Sequence, residues 1–173
     1  MESNSSKTPP PFPTPQLSLK ATNLSQKLIS ANLTIATAES ITGGLVSASL
    51  TSVPGSSKYF LAGLNTYSND AKHQLLKVPQ DVLQTDGAVS ERCSILMATN
   101  VARIIGSDLG VSTTGIAGPD GGTPRKPVGL VYFSAFGKKN GILTWERRFT
   151  GTRHEITLLA AETALDITLE LIS

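Results

Sequence analysis

The run Ala38-Glu39-Ser40-Ile41-Thr42-Gly43-Gly44 sets a serine hydroxyl where an apolar, β-branched stretch gives way to a helical pattern. Ligands of open α/β sheets sit at the carboxyl ends of strands. A helix N-terminus at that point offers unpaired N–H groups and the positive end of a dipole. Gly43 and Gly44 let a ligand come close to the backbone. Ser40 in that position can attack a carbonyl carbon while amides around Thr42, Gly43 and Gly44 hold the oxyanion. Spacing alone favours a plainer role, with Ser40 or Thr42 as a helix N-cap.

A second run, Asn65-Thr66-Tyr67-Ser68-Asn69-Asp70-Ala71-Lys72, also follows an expected strand. Tyr67 and Lys72 lie five residues apart across a strand-to-helix turn, so both can face one cleft. A desolvated lysine serves as general base for a serine, whereas a solvated helix lysine does nothing of the kind, and a lone lysine is usually the latter. The third run, Ser112 to Gly122, joins hydroxyls and glycines at a strand end, including Thr114, Gly115 and Gly121. It suits ribose or phosphate held by backbone N–H groups, or a tight structural loop, with little to separate the two. It lacks the Gly-Lys-Ser/Thr ending of a P-loop. A fourth run, Thr150 to Glu155, opens the last helix with Arg153, which can clamp a phosphate or carboxylate or simply face solvent. The two histidines, His73 and His154, stand in no motif for a Ser-His-Asp triad or a metal site, and both read as surface residues.

The rest of the chain must position these runs. Its 173 residues suit one domain with its own core. Residues 1–16 hold five of the ten prolines, at 9, 10, 11, 13 and 15, and read as a flexible, partly polyproline-II tail; the folded domain is expected over 17–173. Helices are expected over 17–31, 43–53, 90–105 and 154–172, with short helical pieces over 72–76 and 80–83. The inner face of the 90–105 helix is expected to carry Cys93, Met97, Val101 and Ile104. Strands are expected over 33–38, 59–67, 109–114, 128–136 and 142–149, the last two joined by a turn at Lys138-Lys139-Asn140-Gly141. Tyr132 and Trp145 are expected to pack in the sheet. Helices that alternate with strands, followed by a late hairpin, predict a three-layer α/β/α sandwich around a mixed sheet.

Charge and cysteine content narrow the function classes. Fifteen basic and thirteen acidic residues leave a net charge of +2, too balanced for a nucleic-acid partner. No apolar run approaches the roughly 18 residues of a membrane span. Residues 1–20 show no apolar core of a secretory signal and no arginine. Cys93 is the only cysteine, which excludes an intrachain disulfide and a four-cysteine zinc site. It reads as an inert core thiol, and a reducing, cytoplasmic setting fits.

Taken in order, AESITGG at 38–44, TYSNDAK at 66–72, GAVSE at 87–91, TGIAGPDGG at 114–122, KPVG at 126–129 and FTGTR at 149–153 resemble the CinA C-terminal domain family, whose members include nicotinamide mononucleotide amidases. The resemblance covers roughly residues 20–172. It implies a compact α/β/α domain, oligomeric, that needs no metal or other cofactor and acts on a small molecule. The implied reaction is hydrolysis of the carboxamide of nicotinamide mononucleotide to nicotinate mononucleotide and ammonia. By the same resemblance Ser40 is the nucleophile, Tyr67 and Lys72 assist proton transfer, and Thr114, the glycine loop and Arg153 hold the ribose phosphate. The chain departs from the family pattern at Ile41, often a cysteine, and at Thr157, often a second arginine. The Thr157 difference keeps open a rival expectation, a catalytically silent nucleotide-binding or partner-binding protein. In many homologues the domain follows a larger N-terminal domain; the expectation here is of the domain behind a Pro-rich stretch.

Overall fold

The computed structural model describes residues 12–173. Most of the expected Pro-rich tail therefore lies outside the described residues. The chain runs α1 (Pro15–Ala31), β1 (Ile35–Glu39), α2 (Leu45–Thr51), β2 (Phe60–Asn65), α3 (Asn69–Leu76), α4 (Gln80–Thr85), α5 (Glu91–Ile105), β3 (Leu109–Gly115), β4 (Leu130–Gly137), β5 (Gly141–Arg148) and α6 (Arg153–Leu171). The first helix begins two residues earlier than its apolar spacing predicts. Pro15 takes the first helical position and the Thr14 hydroxyl accepts the Leu17 N–H at 3.2 Å. Proline is well suited there because its missing N–H has no intrahelical partner anyway.

The five strands form one mixed sheet in the order β2-β1-β3-β4-β5. β1 is parallel to both neighbours, while β3–β4 and β4–β5 are antiparallel. The expected sandwich is present: α1, α2 and α6 cover one face, and α5 with α3 and α4 covers the other. Alternation along β1 divides its side chains between the two layers. Ile35 joins the core under α1 and α6, whereas Ala36 and Ala38 join the core under α5 with Cys93 and Met97.

The buried stripe of α5 comprises Cys93, Ser94, Met97, Ala98, Val101 and Ala102. Ile104, expected on that inner face, is 48% exposed. The paired spacing of the stripe continues to Ile105, which packs against the core, and leaves Ile104 at its edge. Helix α6 starts with a capping box, Thr152 with Glu155. Tyr132 and Trp145 lie on β4 and β5, where the Tyr132 hydroxyl donates to Glu146 at 2.9 Å and Arg147 stacks 4.4 Å from the Trp145 ring centre. Among the described residues no helix is long and apolar enough to cross a membrane.

Candidate active site

β1 and β2 end level with one another, since Glu39 pairs with Asn65, while β3, paired to Glu39 at Thr113, runs on to Gly115. The segments that follow these strands converge at one edge of the sheet. They bring together Ser40, Lys72 and the start of the glycine loop around a cavity of about 160 Å³. Its wall is made by Ser40, Ile41, Tyr67, Lys72, Thr114 and Gly115, closed by Ala88, Val89 and Ala117.

Lys72 sits in the first turns of α3, whose N-cap Ser68 accepts the Ala71 N–H at 3.0 Å. Its side chain turns inward and is only 1% exposed. The Lys72 Nζ lies 3.0 Å from Ser40 Oγ, 2.8 Å from the Thr66 carbonyl oxygen and 3.4 Å from that of Tyr67. An ammonium has three protons, and here it finds three acceptors. An amine has two protons and one lone pair. With both protons on the two carbonyls, the lone pair of the neutral form faces the Ser40 hydroxyl. Burial pulls the Lys72 ammonium below the usual lysine range, opposed in part by the nearby Cys93 sulfur. The geometry and the shift together give a buried, readily neutralised amine in hydrogen-bond contact with Ser40 Oγ.

Glu39 fixes the turn that carries Ser40. Its carboxylate is 1% exposed. It accepts the amides of Gly44 and Val46 at 3.0 Å and of Ser47 at 2.8 Å, together with the Thr42 hydroxyl at 2.7 Å and the Ser47 hydroxyl. The carboxylate thus caps α2 from below and draws its first turn onto the sheet. This corrects the expected oxyanion roles of Gly43 and Gly44, and leaves that of the Thr42 amide in place. The Thr42 side chain is buried between Glu39 and Thr113, the Gly44 amide belongs to Glu39, and the Gly43 amide returns to the Ser40 carbonyl at 3.2 Å. The free amides of the turn, among the described residues, are those of Ile41 and Thr42. The glycines serve the turn by their backbone angles, with φ of 60° at Gly43 and 103° at Gly44.

Tyr67 and Arg153 form the rim. Arg153 donates to the Tyr67 hydroxyl at 2.7 Å and to the Gly118 carbonyl at 2.9 Å. The Tyr67 hydroxyl therefore faces Arg153 and not Ser40 or Lys72, contrary to its expected share in proton transfer. Its contribution to the amine is its backbone carbonyl. Thr114 lines the cavity with its hydroxyl already given to the Ala88 carbonyl at 2.7 Å. Gly115 lies so close to the opposite strand that a Cβ would stand 2.7 Å from the Leu130 carbonyl oxygen. Gly121 lies on the exposed part of the loop and does not line the cavity.

Glu39, Ala88 and Val89 had no site role in the sequence reading. Glu39 stands inside the motif as a strand-end carboxylate, and only the hydrogen-bond donors that surround it reveal its use. Ala88 and Val89 carry no chemistry of their own. His73 is held by the Val78 carbonyl at 2.9 Å from Nδ1, and His154 is exposed, so neither joins the site. Burial pushes the Cys93 thiol up to about 11, so it stays protonated and unreactive. Among the described residues no three His, Cys, Asp or Glu side chains gather as a metal site.

The family model described as the CinA C-terminal domain matches residues 18–172. The chain belongs to the CinA C-terminal domain family. A CinA-like protein of Geotalea uraniireducens is 50% identical over 133 residues, covering 77% of this chain and 31% of that protein. Another CinA-like protein, of Dictyoglomus thermophilum, is 49% identical over 136 residues, covering 78% of this chain and 33% of its own length. The chain thus spans about a third of the length of these relatives. Among solved structures, the competence/damage inducible protein CihA of Agrobacterium tumefaciens superposes with a TM-score of 0.90 at 35% identity, covering 96% of this chain and all of that one. A competence-damaged protein (CinA) superfamily protein of Escherichia coli gives 0.86 at 33% identity, with 99% of both chains covered. Both positions where the sequence departs from the CinA pattern are accommodated locally. Ile41 is 5% exposed and packs in the α6-side core. The Thr157 hydroxyl donates to the Arg153 carbonyl at 2.7 Å.

Proposed function

We propose that this CinA domain hydrolyses the carboxamide of nicotinamide mononucleotide to nicotinate mononucleotide and ammonia. The observation that carries the reading is the buried Lys72 amine 3.0 Å from Ser40 Oγ, at the floor of a small cavity. Neutral Lys72 takes the Ser40 proton as Oγ attacks the carboxamide carbon. The amides of Ile41 and Thr42 receive the developing oxyanion. As the tetrahedral adduct collapses, Lys72 returns the proton to the departing nitrogen, and ammonia leaves. Water then adds to the Ser40 ester with Lys72 as base, releasing the acid and restoring the serine hydroxyl. A cavity of about 160 Å³ is smaller than the roughly 300 Å³ or more of sites that enclose a whole ligand. It suits the pyridine ring with its carboxamide and leaves the ribose and phosphate to the rim, where Arg153 supplies the cation.

The test is ammonia release from nicotinamide mononucleotide by the wild type and by Ser40→Ala, with a chelator present. We expect steady release by the wild type and a loss of at least about a thousandfold in Ser40→Ala, with the fold unchanged by circular dichroism. Near-normal release by Ser40→Ala overturns the nucleophile assignment. A folded wild type that binds the nucleotide and releases no ammonia supports the silent binding protein instead.

A further inference from the structure

Two motifs of the sequence, GAVSE at 87–91 and KPVG at 126–129, take no part in the chemistry above, yet the structure ties them to each other beside the cavity. Three successive carbonyls of the α4–α5 turn are each held by a different side chain. The Asp86 carbonyl, at the end of α4, accepts from Lys126 Nζ. The Gly87 carbonyl accepts the Ser90 hydroxyl at 2.7 Å, and the Ala88 carbonyl accepts the Thr114 hydroxyl at 2.7 Å. Two of these ties are short-range or come from the rigid sheet. Lys126 reaches across from the β3–β4 loop, and its own backbone is braced there. Its N–H donates to the Thr123 hydroxyl at 3.0 Å, and its carbonyl accepts the Thr123 N–H at 2.8 Å. The ammonium lies against the bare face of Gly87, where a Cβ would stand 3.0 Å from Nζ and φ is +80°. The next two residues, Ala88 and Val89, are the cavity wall.

We propose that Lys126 is a positioning residue that pins the 86–89 turn to the β3–β4 loop and so sets the wall of the Ser40 cavity. Lys126 touches neither Ser40 nor Lys72, so it acts on how the ring is held and not on proton transfer. Its bond to a carbonyl at a helix end is charge-assisted, and a neutral side chain there leaves the last carbonyl of α4 without its partner. The kinetic part of this inference rests on the amidase reading; the conformational part does not.

The experiment pairs amide hydrogen exchange of the whole chain with Michaelis constants for nicotinamide mononucleotide, on wild type, Lys126→Met and Lys126→Arg. In Lys126→Met the amides of residues 87–90 should exchange about tenfold faster or more, the loss of one charge-assisted bond, while β1 and α5 keep their protection. KM should rise about tenfold with kcat within about threefold, and Lys126→Arg should recover part of both. Unchanged exchange at 87–90 in Lys126→Met overturns the proposal. A raised KM with unchanged exchange overturns it too, since Lys126 then contacts the substrate itself. A wild type without turnover defeats the amidase reading alone, and the exchange arm still decides the role of Lys126. If Lys126→Met does not fold, Gly87→Ala pushes on the same contact from the other side; a folded Gly87→Ala with wild-type exchange at 88–90 also overturns the proposal.

Discussion

Lys72 is a cation placed where a cation is costly: almost without exposure, with two carbonyls and a hydroxyl around it. Its pKa in the folded chain lies below the ordinary 10.5 because burial disfavours the charged form. The protonated amine therefore weakens the fold at all pH values below the folded pKa. That penalty is relieved as pH rises from the folded pKa toward the unfolded value. On the proposed mechanism activity follows the same titration, since only the neutral amine can accept the Ser40 proton. We expect kcat/KM to rise with pH and level off below the ordinary lysine value, in a profile measured at constant ionic strength. Lys72→Met keeps the apolar stem and removes the buried charge. It should abolish turnover while leaving Tm at neutral pH unchanged or higher. A steep fall in Tm would mean that the ammonium's three bonds stabilise the fold more than its burial weakens it. Ser40 and Lys72 were legible as candidates because a nucleophile and a base have few residue types to choose from. Glu39 and the partner of Tyr67 were not, because their roles depend on which donors a fold turns toward them, and spacing along one chain does not carry that.

Helices and strands were legible in order and type, because the apolar period switches cleanly between them, and their ends moved by a few residues where caps decide. Ser90, read as an N-cap, accepts the Cys93 N–H at 3.2 Å and starts α5 where expected. The expected helix over 43–53 shrinks to Leu45–Thr51, because Gly43 and Gly44 take positive φ and the chain becomes helical only after them. The α5–β3 contact was hidden, since it depends on a missing side chain. Gly110 faces α5 so closely that a Cβ would lie 2.1 Å from the Ala98 carbonyl oxygen. Gly110→Ala must lift α5 off the sheet, and α5 carries Cys93 and the turn that walls the cavity. We expect a loss of about 2 kcal/mol, roughly 4–8 °C in Tm for a domain of this size, read by thermal melting. A variant that melts with the wild type would show that α5 can shift along the sheet without loss of packing.

At the scale of the molecule, the sheet separates two cores with different duties. The core under α1, α2 and α6 includes Leu24, whereas the one under α5 includes Leu76, at the end of the helix that bears Lys72. Both leucines are fully buried. Truncating either to alanine should cost about 2–5 kcal/mol, so the two variants should melt at similarly reduced temperatures. Their kinetics should differ. Leu24→Ala leaves the sheet edge and α3 in place, and assayed well below its Tm it should keep a wild-type kcat. Leu76→Ala loosens the seat of α3, and a shift of about 1 Å at Lys72 Nζ is enough to lower kcat by roughly a hundredfold. The comparison is informative because stability is matched and only the face differs. Equal kcat losses in both variants would mean that the sheet transmits disorder from one layer to the other, and that the site depends on the whole sandwich and not on the layer that carries Lys72.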